Sequence, residues 1–403
     1  MSKTIIIIGA GLAGLSAALQ AAENGCNVKL VSSLPSERAQ SVTAEGGINA
    51  ALNTKDENDS PEEHFTDTIK AACGLADPNA VWGMTQAAPE LVHWLLKLGV
   101  KFNMSGYDDV DLRNFGGQKK KRTAFAQSDT GKQIMTAMID AVRRKEASGM
   151  IERFSHHSFL TLRLCGNICC GCVIRDEYSQ ETVELPGDAV IVATGGMHGL
   201  FGNTTGSLSN TGEVTAELFR LGVPLANGEM IQYHPTTVKC GGKRILISEA
   251  ARGEGGRLFA MKDGKQWYFM EEKYPELGNL MPRDITAREI WKVSHESEVF
   301  LDMTEISEEI ISNKLSGLAD DCMTYLHKDI RKEPVSVLPG IHYFMGGILV
   351  DEQHRTPIQN LYAAGECCAQ YHGANRLGGN SLLGALYGGR VAAKSACEQA
   401  DVV

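Results

Sequence analysis

Beyond the first two dozen residues, no stretch of this 403-residue chain approaches the ~20 apolar residues of a membrane-spanning helix. Positive charge is in deficit as well: 39 Lys+Arg against 49 Asp+Glu leave a formal net charge of −10. That argues against a protein whose business is nucleic acid, which needs a basic face to neutralise phosphates. It does not exclude a small anionic ligand, because a local basic pocket can sit in an acidic protein. A disulfide framework is missing too. The 11 cysteines are irregular and partly adjacent, as at Cys169-Cys170 and Cys367-Cys368, in a chain long enough to build proper cores. A reduced, cytoplasmic protein is expected. No metal is expected either. Cys169 and Cys172 make a Cys-x-x-Cys pair, but no second pair completes four ligands, and strand alternation would send the two to opposite faces. There is no internal repeat.

What is present begins at the N-terminus. Lys3 followed by the mostly apolar residues 5–22 has the outline of a signal peptide, but Gly9, Gly11, Gly14, Ser16 and Gln20 interrupt it. Residues 5–8 read instead as a buried strand, followed by a glycine turn, a helix over 13–22 and a parallel strand over 27–31. Helical spacing recurs over 80–98, and over 131–142 after the start signal Ser128-Asp129-Thr130. Residues 159–173 and 181–185 read as antiparallel ribbons, and 189–193 as another buried strand. From 229 to 341 the texture is richer in charge and aromatics. Residues 361–364 return to a buried strand and 381–396 to a Gly- and Ala-rich helix. The expected fold class is α/β, with a Rossmann-like nucleotide-binding domain (1–228 and 342–403) interrupted by an inserted α+β capping domain (229–341). Residues 53–63 read as a polar surface loop, and Lys119-Lys120-Lys121-Arg122 as a solvated turn.

Gly9-Ala10-Gly11-Leu12-Ala13-Gly14 lies between a strand and a helix. The first glycine permits the tight turn, the second lets backbone approach a pyrophosphate, and the third lets helix and strand pack closely. The anion then rests on the helix N-terminus. The acidic residue expected for an NAD ribose is absent: the second strand ends in Ser32-Ser33, whose hydroxyls can take that place. Two further strand ends, Ala193-Thr194-Gly195-Gly196 and the Gly365-Glu366 step, favour FAD. Glu366 is able to accept from the ribityl chain or a ribose.

Six ordered segments then add a resemblance. They are Thr43-Ala44-Glu45-Gly46-Gly47-Ile48, Gln232-Tyr233-His234-Pro235-Thr236, Ser248-Glu249-Ala250-Ala251-Arg252-Gly253-Glu254-Gly255-Gly256, Pro282-Arg283-Asp284, His342-Tyr343-Phe344-Met345-Gly346-Gly347, and residues 372–382 around Arg376. The chain resembles the fumarate reductase and succinate dehydrogenase flavoprotein family, which includes aspartate oxidase. Reducing an alkene between two carboxylates takes a hydride at one carbon and a proton at the other, with cations and donors to hold the carboxylates and draw charge from the alkene. The resemblance implies that Arg376, His342 and His234 clamp the substrate with help from Ser248. It also implies that Arg283 donates the proton and that Glu249 and Arg252 return one to it. A guanidinium, with an ordinary pKa above ~12, is a poor acid, so that role rests on the resemblance alone. The flavin contacts implied include Gln40, Ser41, Thr43, Ala44, Gly46, Gly47, Asp129, Asn380, Ser381 and Leu382.

Two departures narrow the expectation. Membrane-bound members carry a His before the Ala-Glu-Gly-Gly segment that bonds covalently to the flavin. Gln40 stands there, so FAD is expected to be non-covalent and its potential lower, which favours reducing fumarate over oxidising succinate. Aspartate oxidase carries a Glu before a Gly-Gly pair, facing the substrate amine. Here Phe115 precedes Gly116-Gly117, which favours an unaminated dicarboxylate, and Arg122-Thr123-Ala124-Phe125-Ala126 also reads more like the fumarate reductase version. The expected protein is a cytoplasmic enzyme, or one peripheral to a membrane, with an unidentified electron donor and an iron-sulfur or other redox partner. The helical C-terminal domain of the membrane-bound complexes is not expected. An electron-transfer subunit without a substrate is the remaining alternative; the set Arg283, Glu249, His342 and Arg376 argues against it, because electron transfer needs no proton donor.

Overall fold

The computed structural model describes residues 2–399; the outermost positions of the expected domain bounds, 1 and 400–403, lie outside them. Four isoleucines make the first strand, Thr4–Ile8, wholly apolar after its first residue, and it runs down the middle of a five-stranded parallel sheet. The order is Leu361–Ala363, Ala189–Val192, Thr4–Ile8, Asn27–Ser32, Ile151–Ser155. Strands buried on both faces read as continuous hydrophobic runs, which is why the sequence pattern finds them. The helices Leu12–Glu23, Thr130–Ala147 and Asn380–Gln399 pack with this sheet in one large core. Three antiparallel strands, His157–Cys165, Ile168–Asp176 and Thr182–Pro186, form the expected ribbon.

The insert has its own core, running from Ile247 to Val337, with Phe115 reaching into it from the nucleotide side. Two sheets serve it. Lys243–Leu246, Ile231–Cys240 and Leu338–Phe344 form one; strands between Arg257 and Ser336 form the other. The expected boundary between 341 and 342 cuts the Leu338–Phe344 strand, whose pairing with Ile231–Cys240 ties residues 342–344 to the insert.

Three expectations need correction. The polar loop 53–63 is shorter than expected: Ser60 caps a helix that starts at Pro61, and Asp59 is buried. The reason lies in the second correction. Arg122, the last residue of the expected solvated turn, is fully buried and pairs with Asp59 at 2.8 Å and Asp67 at 2.9 Å. A buried guanidinium is tolerated only with such partners. Thirdly, Cys169 and Cys172 face the same core. The register slips at Cys170, and Gly171 adopts φ +136°, so the bulge resets the alternation on which the opposite-face argument relied.

Candidate active site

The first strand ends in the glycine turn, where Gly9 N–H donates to Val31 O at 2.8 Å. The three glycines serve different needs. A Cβ on Gly9, at φ +111°, would lie 2.2 Å from Ala193 O, and one on Gly14 would lie 1.8 Å from Gly9 O. Both are required by the protein's own packing. A Cβ on Gly11 would meet nothing nearer than Ser41 Oγ at 3.7 Å. Its bareness keeps open the wall of a cavity of about 680 Å³ that runs from this turn to the insert. That volume suits a large cofactor with room for a small substrate. Ser32 Oγ, buried on the same wall, has no partner among the described residues, as a hydroxyl meant for a ribose would. Glu366 accepts from Phe344 N–H at 3.0 Å and lies 3.1 Å from His198 Nε2, which fixes a carboxylate beside the Gly195-Gly196 strand end. The residues present therefore fit FAD.

Of the expected cofactor residues, only Gly14, Asp129 and Asn380 are off the cavity wall. Gly14 works one layer behind it. Asn380 is buried behind it, accepting from Asn49 Nδ2 at 2.7 Å and donating to Thr68 at 3.1 Å. Asp129 is exposed at the N-terminus of its helix and makes no side-chain cap bond among the described residues. Gln40 lines the cavity, its amide donating to Thr43 Oγ1 at 3.1 Å; a carboxamide offers no nucleophile to a flavin.

At the insert end a set of buried charges meets. Ser248 caps the short helix Glu249–Gly253, which puts Glu249 and Arg252 three residues apart on it. Glu249 Oε2 accepts from Arg283 Nε at 2.8 Å and Nη2 at 2.6 Å. Glu249 Oε1 accepts from Gly116 N–H at 2.9 Å and lies 3.4 Å from Arg252 Nη2. Burial pushes the Glu249 carboxyl up, but Arg283 and Arg252 outweigh it and hold it below the usual range. Arg252 is buried off the cavity wall, donating to Asn279 O at 2.6 Å. Arg283 and Arg376 are linked through Gln232, whose Oε1 accepts from Arg283 Nη1 at 3.0 Å and Arg376 Nη2 at 2.9 Å. Arg376 lies over the Tyr343 ring at 4.3 Å, its Nε without a partner among the described residues; burial, with Arg283 nearby, pulls its pKa to about 9. His234 and His342 have ring centroids 5.0 Å apart, and burial, then Arg283, keeps both well below the usual imidazole range, hence neutral. Thr205 Oγ1 is 2.7 Å from His342 Nδ1.

Phe115 lines this end, fully buried, and a Cβ on Gly378 would come within 2.7 Å of its ring. Among the described residues, then, Arg283, Glu249, His342, Arg376, His234, Ser248 and Phe115 share one cavity end. Gln232, Tyr343 and Glu45 carry no role legible in the sequence, although all three lie inside the segments that resemble the family. Glu45 is half-buried on the wall; its Oε2 is itself buried with no partner among the described residues, and desolvation, then Asp321, raises its pKa to about 8. Thr205 and Arg244 carried no local signal; only the folded chain brings them to the wall.

The FAD binding domain family model matches residues 4–382. The chain is 44% identical to the succinate dehydrogenase flavoprotein subunit of Bacillus subtilis, over 98% of this chain and 69% of that protein. It is 34% identical to the fumarate reductase flavoprotein subunit of Haemophilus influenzae, over 98% and 68%. It is also 34% identical to the L-aspartate oxidase of Streptomyces coelicolor, over 98% and 68%. Among solved structures it is similar to a mutant form of the E. coli quinol fumarate reductase chain FrdA, with a TM-score of 0.92 and 31% identity, over 99% of this chain and 70% of that one.

Proposed function

The chain belongs to the FAD binding domain family and is an FAD-dependent oxidoreductase of the succinate dehydrogenase and fumarate reductase type; from that premise we propose that it reduces fumarate, or a similar unsaturated dicarboxylate, to the saturated acid. The observation that carries this reading is the convergence of Arg283, Glu249, Arg376, His234 and His342 on one end of the cavity whose other end is the nucleotide turn.

Bound FAD supplies the two electrons and one hydrogen for one alkene carbon. The protein's residues do the rest. Arg376 and His342 hold one carboxylate, and His234 and Ser248 the other. Both imidazoles are neutral, so each can donate from one nitrogen. A Thr205 hydroxyl donating to His342 Nδ1 leaves Nε2–H for the substrate. Arg376 has a spare donor, since Nε meets no partner among the described residues, and burial strengthens each charge-assisted bond to the carboxylate. Arg283 gives its proton to the second alkene carbon, and Glu249, with Arg252 behind it, returns one. Gln232 keeps Arg283 and Arg376 in fixed relation although their like charges repel. Phe115 and Tyr343 keep water from the reacting end.

Non-covalent FAD is part of the proposal, because Gln40 lines the wall where a linking side chain would stand. A redox partner delivers the electrons. No helix among the described residues is long and apolar enough to cross a membrane. A place in the cytoplasm, or at the periphery of a membrane, belongs to the same proposal. So does the division into a nucleotide domain (1–228, 342–403) and a cap (229–341), with the last strand of the cap running on to Phe344. One second reading has support: the 44% identity to a protein named succinate dehydrogenase favours the reverse direction. Aspartate oxidation is disfavoured by Phe115, which offers no charge to an ammonium group.

The experiment is an assay of the FAD-loaded protein for reduced-viologen oxidation with fumarate, dye reduction with succinate and peroxide production with aspartate. Fumarate turnover exceeding the other two supports the reading; peroxide from aspartate as the main activity overturns it.

A further inference from the structure

The dicarboxylate clamp balances without Arg244. Arg283 and Arg252 share Glu249, and Arg376 adds one charge, so these four residues carry a net charge of about +2, matching a dianion. Arg244 is a further cation on the same cavity wall, 8% exposed. Among the described residues it donates only to neutral acceptors: the Thr237 hydroxyl through Nε, and Thr237 O at 3.2 Å and Leu338 O at 3.3 Å through Nη2. No acid pairs with it among the described residues, and burial alone pulls its pKa down.

Space is reserved for this side chain. Gly340 lies opposite His234 in the sheet register, and its φ is not one that favours glycine. A Cβ there would lie 2.5 Å from Arg244 Cδ and 2.8 Å from its Nε. Glycine at 340 therefore lets the Arg244 stem cross the strand directly beside the His234 end of the clamp. That end otherwise holds a neutral imidazole and a hydroxyl. A buried guanidinium facing a cavity without an acid is costly unless an anion joins it.

We propose that Arg244 is a specificity-determining residue that makes the His234–Ser248 end of the pocket demand a negatively charged group. The ligand class is then an unsaturated acid with a carboxylate at both ends. Acids whose second end is an ester or amide bind poorly. The proposal rests on the dicarboxylate reading above.

Equilibrium binding tests it apart from turnover. The FAD-loaded wild type, Arg244→Lys and Arg244→Gln are titrated with fumarate and with monomethyl fumarate, read by the flavin absorbance change, and the FAD affinity of each apoprotein is measured alongside. For Arg244→Gln, the fumarate Kd is expected to rise about tenfold or more, with partial recovery in Arg244→Lys, while the ester's Kd moves less than about threefold. Equal losses for both ligands would mean that Arg244 only braces the strands, and overturn the proposal. So would a loss confined to FAD affinity, which would assign the anion to the cofactor's pyrophosphate. Wild type that prefers fumarate through Arg244 yet does not reduce it would keep the proposal and overturn the reductase reading. Wild type that binds the two ligands alike but reduces fumarate would do the reverse.

Discussion

The two ends of the cavity are built in opposite ways. The nucleotide end is made of backbone and glycine from neighbouring positions, with Gly9, Gly11 and Gly14 inside one strand-turn-helix. The insert end is made of long side chains that arrive from residues 115, 232–252, 283, 342 and 376 and satisfy one another once buried. The first is suited, by shape and by backbone N–H groups, to the pyrophosphate of a nucleotide. The second must hold charge in a place where an unpaired charge is expensive, so each cation is partnered or is left free for a ligand.

The largest effect expected at either end is at Arg283. Arg283→Ala should lower kcat for fumarate by about 10²–10⁴-fold, the usual worth of a positioned proton donor, while FAD content stays at the wild-type level by absorbance. Loss of the flavin together with activity would mean that the two ends are not separable.

At the nucleotide end, Gly14→Ala and Gly11→Ala should part ways. The added methyl at 14 collides with Gly9 O, and the apoprotein should lose about 1–3 kcal/mol in a denaturant titration. Gly11→Ala should leave apoprotein stability within about 0.5 kcal/mol of wild type yet weaken FAD binding, since only the ligand needs that space. Equal destabilisation by both would erase the distinction between packing glycine and ligand glycine.

These contrasts follow what the sequence made legible. The nucleotide end could be read because its parts are adjacent and each glycine has a local mechanical reason. At the insert end the charged residues were found only through their resemblance to a family, since no spacing brings 283 beside 249. Gln232 and Tyr343 lay in view without a role, because what they do depends on two arginines that become neighbours only on folding. Arg122 was misread for a related reason: a run of four basic residues looks solvated until Asp59 and Asp67 fold over its last member. The cysteine alternation failed at one bulge, which a β-pattern cannot foresee.

A smaller effect lies between the two ends, at Glu45. Its pKa is about 8 in the fold against 4.5 as an ordinary carboxyl. The folded state therefore holds its proton more tightly than the unfolded one. The associated stability is complete below pH 4.5 and is lost as pH rises through about 8. The melting temperature of the apoprotein should fall between pH 5 and pH 9 more steeply in wild type than in Glu45→Gln, by thermal denaturation in matched buffers. Parallel curves would show that Glu45 does not carry the dependence. No change at all is expected at the proposed non-covalent attachment: after acid precipitation the yellow colour should stay in the supernatant, because a Gln40 carboxamide offers no nucleophile to the flavin, and colour in the pellet would overturn that proposal.

The most direct test of the reductase reading is an anaerobic stopped-flow experiment in which the chemically reduced, FAD-loaded protein is mixed with fumarate and the flavin absorbance is followed. Rapid reoxidation is expected, with one succinate formed per flavin. A flavin that stays reduced in the presence of fumarate would contradict that reading.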